Sequence, residues 1–140
     1  EKGYRHFGHD ITDEDHVLEA GLGFAVKKEK EDFIGKNAVI KKDNNGLSKY
    51  LYQFQLEDPE LLLFHNEPIY RDGELVSYLT SGNYGHFLGS AIGMGYIPLK
   101  EETIKSVETS DFHIEIAGTM AKAKISSKPL YDPISEKIRM

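Results

Sequence analysis

The sequence predicts a mainly β fold: a six-stranded antiparallel barrel of Greek-key type over residues 46–140, behind a short α+β segment, residues 1–45. Three observations point to it. Apolar and polar residues alternate along Tyr50–Leu56 and Asp111–Ala117, the period of a strand with one face inside. The turn pairs Asp72-Gly73 and Gly118-Thr119 each sit between strand-like runs, where hairpins are expected. Only one stretch, near residues 33–42, has helical spacing, and the remaining runs are short with tight connections, as in a compact barrel.

Residues 1–16 are rich in Gly, His and Asp and read as an ordered loop crossing a surface. Residues 20–27 read as a short strand. Phe33–Lys42, with Ile34 and Ala38 apolar, reads as a short helix with Asp32 as N-cap and Asp43-Asn44-Asn45-Gly46 as its stop. Tyr50, Tyr52, Phe54 and Leu56 then share one strand face, and Leu51, Gln53 and Gln55 the other, until Pro59 breaks the run. Glu67–Arg71 and Glu74–Thr80 flank the Asp-Gly turn. Ser90–Ile97 is a glycine-spaced apolar strand stopped by Pro98. Phe112, Ile114 and Ile116 face inward on the fifth strand, and Ala121, Ala123 and Ile125 on the sixth. The densest glycine run, Thr80–Gly95, reads as a close-packed crossover whose glycines sit where side chains do not fit.

The bulk composition narrows the function classes. A chain of 140 residues supports one domain with a real core, or a small domain with an appended segment. Net charge is −6, and no Lys/Arg cluster is free of interleaved acids, so a nucleic-acid partner is not expected. Lys27–Asp32 alternates in sign and reads as solvated. No apolar run approaches the roughly 18 residues of a membrane span, so no membrane partner is expected. The lack of Cys excludes a disulfide framework, a thiolate metal site and a Cys nucleophile. No targeting segment is visible, and the expected location is the cytoplasm, or the mitochondrial matrix in a eukaryote. Because the chain opens on Glu1-Lys2-Gly3-Tyr4 without Met, we expect it to be part of a longer polypeptide, with some of any active site upstream.

Val17–Val26 holds a single acid, Glu19, in an apolar run. An unpaired buried carboxylate costs several kcal/mol or gives up its charge. Glu19 therefore needs an internal cation, backbone N–H groups, or a ligand with paired N–H donors. Gly21 and Gly23 leave room beside it for another backbone or a flat ligand. His6-x-x-His9-Asp10 matches no zinc spacing, so no metal site is expected. The glycine run fits neither phosphate-cradling motif, although Tyr84 and His86 could line a cleft. There is no G-x-S-x-G, and Ser81 with His86 makes a weak pair, so no catalytic residue is assigned.

Taken together, Glu1–Asp10, Leu18–Phe24 and Asp32–Lys36 resemble the end of the folate-binding domain of aminomethyltransferases, the glycine-cleavage T-proteins. Thr80–Tyr84, Leu88-Gly89, Ile92–Tyr96 and Pro129–Pro133 are similar to that family's C-terminal barrel. The Glu-Lys-Gly-Tyr-Arg opening and Leu-Tyr-Asp-Pro ending look most like the branch fused behind a flavin domain, the sarcosine and dimethylglycine dehydrogenases. The resemblance implies tetrahydrofolate as ligand, a small amine substrate, one-carbon transfer, and FAD in the upstream part of the parent chain. It assigns residues 1–45 to the end of the folate-binding domain and implies that Glu19 grips the pterin ring, where a carboxylate can accept two N–H donors in parallel. It places Lys49 and Tyr50 where the family has an Arg, which costs the planar fork, and matches Arg139 to a basic residue near the family's C-terminus. With Tyr84, these form the candidate folate-binding set. The family's catalytic Asp falls upstream of Glu1, so the chain alone is expected to be inactive. The other reading is a non-catalytic barrel for protein–protein assembly with a degenerate folate pocket, which a single exposed patch of Tyr50, Tyr52, Tyr84 and Phe87 would favour.

Overall fold

The computed structural model describes residues 1–137 and 139. Six strands, β1 (Lys49–Leu56), β2 (Pro68–Arg71), β3 (Glu74–Gly85), β4 (Ser90–Pro98), β5 (Phe112–Ile116) and β6 (Thr119–Ser126), form a closed antiparallel barrel in the order β1-β4-β3-β2-β5-β6. The consecutive hairpins β2-β3-β4 with β1 lying beside β4 make the expected Greek key. Register shifts at Ile69/Tyr70 and Leu79/Ser81 bend the sheet far enough to close.

Alternation puts Tyr52, Phe54 and Leu56 of β1, with Ile69, Leu79, Ala91, Ile97, Phe112 and Ile114, inside the barrel. The Phe54 and Phe112 rings meet edge-on, 5.7 Å apart. Three glycines of the dense run allow this packing. A Cβ on Gly93 would lie 2.8 Å from Leu79 Cδ1, one on Gly95 2.6 Å from Ile69 Cδ1, and one on Gly82 2.7 Å from the Leu63 backbone. The run is a hairpin and not a crossover: β3 and β4 pair continuously from Leu79↔Gly95 to Gly85↔Ser90, apart from the bulge.

The lead-in, residues 1–22, crosses the outer face of β1, β3 and β4. Leu51 and Gln53 of β1 are therefore buried as well, and the strand is covered on both sides. Residues 20–27 do not form a strand. They fold into turns and a single 3₁₀ turn, Gly23–Ala25. A closed barrel leaves no free edge for another strand, and the local bonds Ala20 N–H to His16 O and Leu22 N–H to Val17 O coil the segment instead. Phe24 consequently lies in solvent, 86% exposed.

The predicted helix is α1, Lys36–Asn45. Its N-terminal cap position is Gly35 at φ 86°, while Asp32 accepts from the neighbouring Phe33 N–H. It runs through Asp43-Asn44-Asn45 to Gly46. A second short helix, α2 (Ile104–Val107), is capped by the Thr103 hydroxyl, which accepts from the Ser106 N–H.

Candidate functional site

Glu19 is 4% exposed and is satisfied by the protein. Its Oε1 accepts from the Ser48 N–H (2.8 Å), the Ser48 hydroxyl (2.7 Å) and the Lys49 N–H (3.3 Å), and it pairs with Lys42 Nζ at 2.8 Å. Lys42 comes from the last turn of α1, Ser48 immediately precedes β1 and Lys49 opens it, so one carboxylate ties the lead-in, the helix and the first strand together. Burial alone would raise its pKa. The hydrogen bonds from Lys42, Ser48 and the two N–H groups overcome that and hold it at about 2. A parallel grip on two ligand N–H donors needs both carboxylate oxygens, and Oε1 is fully engaged. The geometry is that of the internal-cation reading, and it does not fit a pterin clamp.

The remaining candidate residues do not converge. Lys49 reaches Asp15 at 2.8 Å and lies 4.1 Å from the centre of the Tyr96 ring, so its charge is also committed internally. Asp15 is pushed up by burial and drawn below the usual carboxylate range by Lys49 and Thr12. The half-buried Tyr50 meets Tyr52 edge-on at 5.3 Å and packs beside Gly21 and Arg5. Burial raises its phenol pKa, opposed by the Arg5 guanidinium. Tyr84 pairs with Ala91, seven residues along β4 from the Pro98 that faces Lys49. At the strand rise this is about 23 Å away. It sits at the hairpin tip, edge-on to His86. Arg139 is exposed in the C-terminal tail, its N–H donating to Glu136 O. Tyr50, Tyr52, Tyr84 and Phe87 form no common patch, because Tyr52 is fully inside.

The residue that sequence reasoning missed is Asp10. It is 1% exposed; Oδ1 accepts from the Thr80 hydroxyl (2.6 Å) and the Ser81 hydroxyl (2.7 Å), and Oδ2 from the His6 N–H (2.8 Å). Tyr96 donates its hydroxyl to the Asp10 carbonyl. Nearby, Arg5 donates to the carbonyls of Gly3, Ala20 and Gly21, folding the lead-in back on itself. Along this seam between lead-in and barrel runs a groove of about 610 Å³. Its floor is Ile92 and Met94, its walls include Tyr4, Asn83 and Gln53, and Lys2, His6 and Asp10 also line it. Its volume suits a small ligand. Glu19 does not line it.

His6 and His9 stack at 4.6 Å, and His65 approaches His9 edge-on. Among the described residues, no group of three or more His, Asp or Glu is placed to hold a metal ion. No helix among them is long and apolar enough to cross a membrane.

Comparison with known proteins identifies the assembly. The glycine cleavage T-protein C-terminal barrel domain matches residues 49–132. Over 99% of its length the chain is 37% identical to 4-methylaminobutanoate oxidase (formaldehyde-forming) of Paenarthrobacter nicotinovorans, and 32% identical to human mitochondrial sarcosine dehydrogenase. It spans 16% of each of those proteins. An aminomethyltransferase of Halothermothrix orenii is 42% identical over 74% of the chain, which covers 29% of that enzyme. The crystal structure of glycine cleavage system aminomethyltransferase T from Bartonella henselae shares the fold, with TM-score 0.78 at 22% identity over 94% of this chain and 36% of that one. By the domain match and these identities, the chain belongs to the glycine cleavage T-protein family and corresponds to the family's C-terminal region.

Proposed function

We propose that the chain is the C-terminal part of a one-carbon-transfer enzyme that acts on a small N-methylated amine with tetrahydrofolate as acceptor. FAD and the catalytic acid belong to other parts of a longer polypeptide. The observation that carries this reading is the match of lead-in and barrel together to the oxidase and to sarcosine dehydrogenase over 99% of the chain. The oxidase is named for forming formaldehyde, a one-carbon product of the kind that tetrahydrofolate captures.

Within this reading, the chain's own part is to present the seam groove as one wall of the folate site. Tyr4 offers a flat face, Ile92 and Met94 an apolar floor, and Lys2 a cation for a carboxylate tail. Glu19 acts one step back, by fixing the lead-in against β1. Parts of the parent chain outside these residues pack against it and supply the chemistry. The location that goes with this reading is the cytoplasm, or the mitochondrial matrix in a eukaryote, the human relative being named as mitochondrial.

Titration with folinate tests it. Tyr4→Ala is expected to weaken binding about five- to tenfold through lost stacking. Glu19→Gln is expected to lower the melting temperature with the dissociation constant within about twofold of wild type. No saturable binding, or binding indifferent to Tyr4→Ala, overturns the role of the groove.

A further inference from the structure

Arg71 ends β2 with its side chain largely inside, 14% exposed. Nη1 and Nη2 each donate to one oxygen of Glu102 at 2.6 Å, and Nε donates to the Ser110 hydroxyl at 2.8 Å. This is the two-pronged geometry with which a guanidinium recognises a carboxylate. Here the carboxylate is supplied by the chain itself, from the loop between β4 and α2.

That loop is held under strain. The buried Leu99 anchors it through its N–H to Ser48 O. The next two residues, Lys100 and Glu101, take φ 43° and 71°. Two consecutive non-glycine residues in the left-handed region persist only where surrounding contacts hold them. The contacts that do so are the Glu102 N–H to Leu99 O and the Arg71–Glu102 fork. Glu102 is the outer partner, its side chain 34% exposed. Beside the pair lies a cleft of about 360 Å³ with Val76, Ile97 and Pro98 as its apolar lining. Asp72, Glu74 and Lys100 complete its polar side, and Asp72 Oδ2 stands 3.7 Å from Arg71 Nε.

We propose that this cleft binds a small amino acid and that Glu102 is its built-in competitor. When the loop relaxes and Glu102 withdraws, Arg71 takes the ligand's carboxylate in the place that Glu102 leaves. Val76 and Pro98, both partly exposed, carry the short carbon chain. Asp72 and Glu74 accept the ammonium group, with Lys100 moving away together with the loop. The site is separate from the seam groove and does not depend on the folate reading.

The test is titration of the chain with 4-aminobutanoate, and with butanoate as the carboxylate lacking the amine, followed by NMR at the Arg71 side chain and the amides of Leu99–Thr103. A tethered competitor raises the apparent dissociation constant, so Glu102→Ala is expected to bind 4-aminobutanoate at least about tenfold more tightly than wild type. Butanoate should bind more weakly, and Arg71→Lys in the Glu102→Ala background should remove the gain. Should Glu102→Ala fail to fold, Glu102→Gln keeps the shape, weakens the fork and carries the same expectation. Equal or undetectable binding in wild type and the folded variant, or butanoate binding as tightly as the amino acid, overturns the proposal.

Discussion

Glu19 and Asp10 are both buried carboxylates, and the chain stabilises them differently. Glu19 has a lysine, whereas Asp10 has two hydroxyls and an N–H. Removing Glu19 leaves the Lys42 ammonium and two strand N–H groups without their acceptor. Glu19→Ala should therefore cost about 3 kcal/mol in denaturant unfolding. The pH dependence has a defined sign. The folded-state pKa, about 2, lies below the ordinary 4.5. The stabilisation from Glu19 is thus complete above about 4.5 and is lost as pH falls towards 2. Glu19→Gln should lack that slope, and an unchanged acid limb would refute the assignment. At this scale the sequence marks the acid but not its partner. The apolar run shows that Glu19 must be satisfied, while Lys42 and Ser48 arrive from a helix end and a strand start that no local period connects to it. Asp10 stands out only as part of the His6-x-x-His9-Asp10 cluster, and its structural role is hidden because its partners Thr80 and Ser81 lie some seventy residues away.

Strands were legible where one face had to be inside. Phe112, Ile114, Ala121 and Ala123 are buried as their alternation requires, and the Asp72-Gly73 turn joins β2 to β3. Residues 20–27 misled because their apolar content suits a strand, yet the ring of six is complete without them. The outer face of β1 misled the other way: Gln53 looks like a solvent position and is covered by the lead-in. The glycines give a graded prediction at this level. Gly82→Ala drives a Cβ to within 2.7 Å of the Leu63 backbone, which cannot rotate away. It should cost about 2–3 kcal/mol. Gly118→Ala meets no atom within 4 Å but must hold φ 82°, so it should cost about 1 kcal/mol. Thermal melts that reverse this order would contradict the packing described for β3.

Across the whole molecule, the lead-in and barrel behave as one body because three polar links stitch them together: Glu19 to Ser48, Asp10 to Thr80 and Ser81, and Asp15 to Lys49. Loss of one link should free part of the seam without opening the barrel. Asp10→Ala is expected to speed amide exchange across residues 3–16 while β5 and β6 keep their protection. Uniform loss of protection would mean that the two parts fold only together. The closed circuit of strands has a separate consequence for handling. Among the described residues each strand has a hydrogen-bonded neighbour on both sides along at least part of its length, so the barrel presents no free-standing edge strand as a template for a foreign one. Fibre growth from a concentrated stock should therefore track the rate at which molecules unfold, and additives that bind the native state should slow it.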